Sequence, residues 1–356
     1  MTAFHLLVGT YTQPEPHAPN AHSQGIQLLT FNAGELSLRG VAAELTNPSF
    51  IAVHPQGQAV YAVSEVSQGT LHVYRVRPGN QTLEPGEVYS TQGAAPAHVS
   101  LDAAGTRLFT VNYVSGASIL AYRVLPATGE LLPGPATARH QGQSVHAGRQ
   151  ESPHAHCARA SWDGRHLYVT DLGTDEVVTY PAEWQAPALT RLNTLRLPAG
   201  CGPRHLSFHP DGQFGFISLE LSSELAVVSR DPASGQLTLL QRLSTLVDGP
   251  ANGNLPAEVL VSPCASFICV SNRGRNTVAL LTWDSEAAQA RLVAEVPTLG
   301  QTPRSMAFTP CGTFLLVANQ DSATITVFSW DSSRGHLEPL RTVPCPTPTS
   351  LCFLPA

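Results

Sequence analysis

The fold of this protein is indicated by the stretch Pro48-Ser-Phe-Ile-Ala-Val-His-Pro-Gln-Gly57-Gln-Ala-Val-Tyr-Ala-Val63. Apolar residues alternate with other residues before Gly57 and continue after it, which predicts two antiparallel strands joined by a tight turn. The same pattern recurs in five further segments of the chain. Their turns are centred on Gly105, Gly164, Gly212, Ala265 and Gly312.

The six turns are evenly spaced along the chain. Gly57 and Gly312 are 255 residues apart, so the mean spacing is 51 residues, close to the length of a four-stranded propeller blade with its loops. A seventh unit is divided between the chain ends: Pro348–Pro355 matches the first strand, Phe4–Tyr11 the second and Gly25–Phe31 a third. We therefore predict an all-β, seven-bladed β-propeller forming a single domain over residues 1–356, closed by pairing of the N- and C-terminal strands in one blade.

Composition excludes several kinds of chemistry. Glycine and proline account for 57 of the 356 residues, which fits many turns between short strands. All twenty basic residues are arginine, which excludes lysine Schiff bases, pyridoxal phosphate attachment and the phosphate loop that ends in lysine. A net charge of -6 argues against a nucleic-acid partner.

The cysteines and the chain terminus point to a cellular compartment. The seven cysteines are odd in number and have no C-x-x-C spacing, so we expect neither disulfides nor zinc. No stretch reaches 18 apolar residues, and the first residues lack the positive region of a signal peptide. We expect a cytoplasmic protein with no membrane association, either a monomer or a weak homo-oligomer.

Alignment of the repeats on their turn residue locates polar exceptions. Eight residues before the turn, most blades carry a small residue, but three blades carry His156, Arg204 and Arg304. Eight residues after the turn stand Glu220, Arg273 and Gln320, and one residue earlier stand Asn272 and Asn319.

Positions equally distant from a hairpin turn lie close together at its open end. Since first strands line the central channel of a propeller, we expect these side chains to share one rim, the default place for a site. Other interpretations remain open for each kind of residue. Asparagine at a strand end is a common turn former, and the arginines could form ion pairs between blades.

Two histidines lie close together in Pro153-His-Ala-His156. In an extended strand His154 and His156 would face the same way, and the sequence does not distinguish which of them faces the channel. Without clustered carboxylates the pair is a weak metal signal, so we predict no metal site.

Several runs of the sequence resemble the family of seven-bladed propeller lactonases, which includes the propeller-type 6-phosphogluconolactonases and resembles the carboxy-cis,cis-muconate cyclising enzymes. The resemblance spans essentially the whole chain. The matching runs are Arg149–His156, Val169–Gly173, Gly202–His205, Ser218–Leu221, Ala257–Val259, Ser271–Gly274 and Ala318–Gln320. Two departures, Arg275-Asn276 where the family often has His-Asp and Cys201 in place of a small hydroxyl residue, concern the substrate more than the fold.

The resemblance implies hydrolysis of an anionic sugar lactone, with 6-phosphogluconolactone as the expected substrate. It implies a site of His154 or His156, Arg204, Glu220, and Arg273 or Arg304, the same rim that the repeat columns indicate. Lactone hydrolysis needs a base for water, a positive group for the developing oxyanion and recognition of the anionic end.

These needs suggest roles for the rim residues. We expect Glu220 or a histidine as the base, Arg204 at the oxyanion, and Arg273 with Arg304 at the phosphate or carboxylate. Asn272, Asn319 and Gln320 are further candidates for substrate binding. This scheme requires no cofactor.

Two alternatives remain. One is a lactonase or cyclase that acts on another carboxylated lactone. The other is a non-catalytic propeller that binds proteins, which would present exposed aromatic anchors. Only Tyr11 and Tyr113 share the predicted rim.

Overall fold

A computed structural model places residues 3–355 of the chain, apart from residues 78, 80, 81 and 186, and all statements below concern these described residues. They form 28 β-strands in seven four-stranded antiparallel sheets, and they contain no helix. The predicted fold, an all-β propeller of seven blades, is confirmed. It follows that no helix of the described residues is long and apolar enough to cross a membrane.

Blades 1 to 6 each consist of four strands that follow one another along the chain. Blade 1 contains β4 (Phe50–Val53), β5 (Ala59–Ser64), β6 (Thr70–Val76) and β7 (Leu83–Ser90); blade 2 contains β8 (Gly93–Leu101), β9 (Arg107–Gly116), β10 (Ile119–Arg123) and β11 (Ala136–Ala138); blade 3 contains β12 (Ala155–Ala160), β13 (His166–Asp171), β14 (Glu176–Pro181) and β15 (Asn193–Arg196). Blade 4 contains β16 (Pro203–Phe208), β17 (Phe214–Leu219), β18 (Glu224–Arg230) and β19 (Leu237–Ser244); blade 5 contains β20 (Leu255–Val261), β21 (Phe267–Arg273), β22 (Thr277–Asp284) and β23 (Gln289–Pro297); blade 6 contains β24 (Pro303–Phe308), β25 (Phe314–Asn319), β26 (Thr324–Asp331) and β27 (His336–Pro344).

Blade 7 closes the ring with strands from both chain ends. It contains β28 (Pro348–Phe353), β1 (Phe4–Thr10), β2 (Gly25–Asn32) and β3 (Glu35–Glu44). In this sheet Leu7 lies opposite Cys352 and Leu6 lies opposite Phe353. This pairing gives both terminal strands hydrogen-bond partners, as the sequence predicts.

The turn between the first two strands of a blade requires a left-handed backbone. Gly57 adopts φ 80° and Gly212 adopts φ 71°, a region that glycine enters without a steric penalty. Ala265 adopts φ 62° at the same position in blade 5. These turns also contact the next blade: His54 Nε2 lies 3.0 Å from the carbonyl oxygen of Gly105.

The core of the protein lies between neighbouring blades. Phe216 and Val227 of blade 4, for example, belong to the same buried apolar cluster as Val259 and Ile268 of blade 5. The first strands of adjacent blades contact one another all around the ring, so they line its centre. We call the end of this channel where the first strands begin the mouth.

Near the mouth, β-bulges interrupt several first strands. In blade 4, Pro203 pairs with Leu219 and Leu206 pairs with Ile217, which leaves Arg204 and His205 outside the regular ladder. Similar register shifts occur at His156 in blade 3 and at Arg304 in blade 6. A bulge redirects side chains that simple alternation would send into the sheet, and here it leaves three predicted site residues outside the ladder.

Candidate active site at the mouth of the channel

The predicted rim residues meet around one carboxylate. We call Arg149, His156, Arg204, Glu220, Arg273 and Arg304 the mouth cluster. Glu220 directly follows β17, and its backbone N–H donates to the carbonyl of Gly202 at 2.8 Å. The hairpin of blade 4 therefore places Glu220 beside Arg204, as their equal distance from the turn predicts.

Glu220 contacts three guanidinium groups. Its Oε2 lies 2.6 Å from Nη2 of Arg273 and 3.1 Å from Nε of Arg204, and its Oε1 forms an ion pair with Nη2 of Arg149. The carboxylate is almost fully buried, with 3% of its side-chain surface exposed. Burial alone would raise its pKa, but the charges of Arg273, Arg204 and Arg149 hold that pKa well below its usual value. Glu220 is thus an ionised, fully engaged carboxylate.

Arg204 lies deepest among these arginines and retains unused donors. Its Nε is close to Glu220 without the angle of a hydrogen bond, and its Nη1 is buried with no hydrogen-bond partner among the described residues. Burial and the charges of Arg273 and Arg304 lower the pKa of Arg204 to about 9, so the group stays protonated at neutral pH. Buried N–H donors of this kind can stabilise an oxyanion.

Arg304 is held by side chains from blades 6 and 7. Its Nη2 donates to the hydroxyl of Tyr11 at 2.9 Å and its Nη1 donates to Oε1 of Gln320 at 3.3 Å. The Tyr11 hydroxyl in turn donates to Oε2 of Glu65 at 2.8 Å. Gln320 also donates to the carbonyl of His17 at 2.7 Å, so it fixes the segment that follows β1 against the mouth.

The two histidines of Pro-His-Ala-His occupy different surroundings. The His154 ring stacks on Tyr113 at 4.5 Å, and its nitrogens lie 2.7 Å from the Tyr113 carbonyl oxygen and 3.1 Å from Glu151 Oε1. The His156 ring meets Tyr113 edge-on and packs against His205 at 5.3 Å. Burial, together with the charge of Arg204, holds the pKa of His156 well below its usual value, so the imidazole is neutral at neutral pH. His156 is therefore the histidine that belongs to the mouth cluster.

A buried polar layer lies directly beneath the mouth. His205 Nδ1 is 2.9 Å from Oε1 of Glu258, while His205 Nε2 is buried with no hydrogen-bond partner in the described chain. The rings of His205, His98 and Phe50 contact one another across the channel, with centroids 4.4 to 5.8 Å apart. This layer forms the floor on which His156 rests.

Two predicted substrate-binding residues do not join the mouth cluster. The Asn272 amide donates to the Thr245 carbonyl at 3.1 Å, and its oxygen accepts from the Thr245 hydroxyl at 2.8 Å. The Asn319 amide donates to the Thr326 hydroxyl at 2.9 Å. Both side chains are fully buried and fasten loops behind the rim, the turn-forming alternative that the sequence left open.

Some residues near the mouth lie outside the repeat columns. Arg149 belongs to the long segment before β12, and no other blade offers a position to align with it. His205 and Glu258 stand one place from the polar column, on the side that simple alternation would turn away from the mouth residues. Within the described residues, no group of three or more His, Cys, Asp or Glu side chains has the geometry to hold a metal ion.

Comparison with known proteins agrees with this geometry. The sequence profile described as "Lactonase, 7-bladed beta-propeller" matches residues 5–353. The chain belongs to the seven-bladed β-propeller lactonase family. Among curated members, a Bacillus subtilis protein named 6-phosphogluconolactonase is 29% identical over 301 residues, 84% of this chain and 83% of that protein.

Other members of the lactonase family are similar over most of their length. A Formosa agariphila protein named 6-phosphogluconolactonase is 27% identical over 303 residues, covering 82% of this chain and 83% of that protein. The solved structure of the Pseudomonas aeruginosa periplasmic gluconolactonase superposes with a TM-score of 0.90 at 32% identity, covering 99% of each chain. The sequence resemblance to propeller lactonases is thus confirmed at the level of the family.

Proposed function

We propose that this protein hydrolyses 6-phosphogluconolactone to 6-phosphogluconate in the pentose phosphate pathway. The observation that carries the proposal is the arrangement of three guanidinium groups around the buried Glu220 carboxylate, next to the neutral imidazole of His156. Such a site attracts an anionic substrate and offers a base at neutral pH. Relatives named 6-phosphogluconolactonase support the choice of substrate.

In the proposed reaction, His156 accepts a proton from a water molecule as its oxygen attacks the lactone carbonyl carbon. Arg204 stabilises the negative charge that develops on the carbonyl oxygen, which its buried free N–H donor supports. The bond between the carbonyl carbon and the ring oxygen then breaks. The ring oxygen takes the proton back from His156, which leaves the open-chain acid.

Glu220 has a positioning role in this proposal. A carboxylate whose pKa is held far below neutrality by three arginines is a poor proton acceptor. Its contacts instead fix Arg204 and Arg273 side by side. We assign Arg273 and Arg304 to the anionic end of the substrate, where guanidinium groups can bind phosphate through paired hydrogen bonds.

Unphosphorylated gluconolactone is the second candidate substrate, because the Pseudomonas aeruginosa relative is named a gluconolactonase and is 32% identical. Opening of both lactones by the purified protein, measured against the spontaneous rate, tests the proposal. We expect faster opening of the phosphorylated lactone. Spontaneous rates for both substrates would refute the proposed function.

We also propose that the protein is cytoplasmic. Its seven cysteines are free thiols, and Cys264 and Cys311 are exposed, which suits a reducing compartment. Fractionation of cells of the source organism tests this location, and recovery with periplasmic markers would refute it.

A further inference from the structure

Arg149 differs from the other arginines of the mouth cluster in where it comes from. It lies on the segment between β11 and β12, and it reaches Glu220 in the next blade, 71 positions further along the chain. Its guanidinium also interacts with the hydroxyl of Tyr113. Arg149 is thus held over the mouth from the side.

The backbone that carries Arg149 is firmly anchored. The neighbouring Gln150 is fully buried, and its amide donates to the carbonyl of Leu172 at 2.8 Å. The Gln150 side-chain oxygen accepts from the backbone N–H of His146 at 3.1 Å, and Ser144 Oγ donates to Asp175 at 2.6 Å. The segment therefore presents Arg149 in a fixed position, which lowers the entropy cost of binding through it.

Arg149 is also the outermost of the three arginines on Glu220. Its side chain is 34% exposed, compared with 11% for Arg273 and 3% for Arg204. A substrate that enters from solvent and brings its carbonyl to Arg204 extends its other end outwards. In 6-phosphogluconolactone the phosphate is at the opposite end of the molecule from the carbonyl.

The charge of the site leaves Arg149 available for an anion. Arg204 and Arg273 already neutralise Glu220 from its Oε2 side. Three guanidinium groups and one carboxylate leave an excess of two positive charges, which matches a phosphate dianion. Arginine is well suited to this task because its planar fork binds phosphate oxygens in pairs.

We infer that Arg149 binds the phosphate group of the substrate and makes the site select a phosphorylated sugar lactone over its unphosphorylated counterpart. This inference rests on the proposed function, since it assigns a substrate class to the same mouth cluster. It makes the segment before β12 a determinant of specificity.

The test compares Arg149→Gln with the wild-type protein on 6-phosphogluconolactone and gluconolactone. We expect the preference for the phosphorylated lactone, as a ratio of kcat/KM values, to fall about 10-fold to 100-fold, the size of a lost charge-assisted hydrogen bond. The loss should appear mainly in KM, and Arg149→Lys should recover part of it. A thermal melt of each variant verifies that it folds.

Arg275→Gln is the matched control. Arg275 is another partly exposed arginine close in sequence to the mouth residue Arg273, but it pairs with Asp248 at 3.1 Å, away from Glu220. We expect this variant to keep the wild-type preference. Equal loss on both lactones in Arg149→Gln, or an unchanged preference, would overturn the inference.

A binding measurement separates this inference from the proposed function. Calorimetric titration with 6-phosphogluconate and with gluconate needs no turnover. If the wild-type protein opens neither lactone, the proposed function fails. The inference on Arg149 then stands only if 6-phosphogluconate binds more tightly than gluconate and Arg149→Gln abolishes the difference; it is overturned if the difference is missing or persists.

Discussion

Nδ1 of His205 lies 2.9 Å from Oε1 of Glu258, and both side chains are buried beneath the mouth. Burial raises the pKa of Glu258, and burial together with nearby arginines lowers that of His205. Both shifts favour the uncharged forms. The pair is therefore a buried hydrogen bond that supports the ring of His156 from below.

Replacing Glu258 with alanine leaves His205 without this partner. We expect the free energy of unfolding, measured by urea denaturation, to fall by about 2 kcal/mol, the cost of an unsatisfied buried polar group. Glu258→Gln keeps an acceptor oxygen and should lose less. Glu286→Ala, at an exposed turn, is the control and should stay within about 0.5 kcal/mol of wild type. Equal stability of the Glu258→Ala and Glu286→Ala variants would contradict this account.

His154 and His156 should differ sharply in catalysis. We expect His156→Asn to reduce kcat for lactone opening by about 100-fold or more, the usual contribution of a general base. His154→Asn should cause a much smaller loss, because both nitrogens of His154 are engaged by Tyr113 and Glu151. Steady-state kinetics of the two variants verifies this order, and the reverse order would assign the base to His154.

The pH profile of the wild-type enzyme should reflect the environment of His156. Its pKa is held well below 6.5 by burial and by Arg204. The base therefore stays deprotonated in mildly acidic solution, and kcat/KM should decline only below pH 6.5. A decline centred above that value would exclude His156 as the base.

Three buried histidines should make stability depend on pH. Burial holds the pKa values of His98, His156 and His205 well below 6.5. The unfolded chain takes up protons near pH 6.5 whereas the folded protein does not, so stability is lost as the pH falls below that value. Each histidine contributes up to about 1.4 kcal/mol per pH unit, and the raised pKa of Glu258 offsets part of this.

Urea denaturation at pH 7, 6 and 5 measures this loss. His98→Gln should show a shallower decrease than wild type, since one of the three groups no longer titrates. Stability that is constant or rising between pH 7 and pH 5 would contradict the prediction.

Asn272 should affect stability rather than substrate affinity. Its amide joins the two strand-connecting segments around Thr245 and Thr277. We expect Asn272→Ala to lower the free energy of unfolding by about 1 to 3 kcal/mol while KM stays close to the wild-type value. The exposed Asn252 provides a control, and a KM effect confined to Asn272→Ala would restore its predicted role in binding.

The fold could be predicted because each blade repeats the same physical problem. Every first strand must present apolar residues to both neighbouring blades, so Ile51, Leu206 and Met306 stand at the same distance from their turns and are all buried. The turn glycines mark the register. The same alignment placed Arg204 and Glu220 together, because a hairpin fixes which residues meet at its open end.

The rest of the site depends on irregular features that a repeat alignment does not contain. Arg149 reaches the mouth from a long segment of one blade only. His205 is brought into the channel by a bulge that lets two successive residues leave the ladder. The orientation of the Asn272 amide depends on the loop around Thr245, whose path has no local signal in the sequence.

The most direct measurement of the central claim is the rate of 6-phosphogluconolactone opening by the wild-type protein and by Arg204→Ala, with the spontaneous rate subtracted. We predict clear acceleration by the wild-type protein and loss of about 100-fold or more in the variant, the effect of removing an oxyanion donor, with a thermal melt showing that the variant still folds. Full activity of a folded Arg204→Ala variant would contradict the assignment of the mouth cluster as the active site.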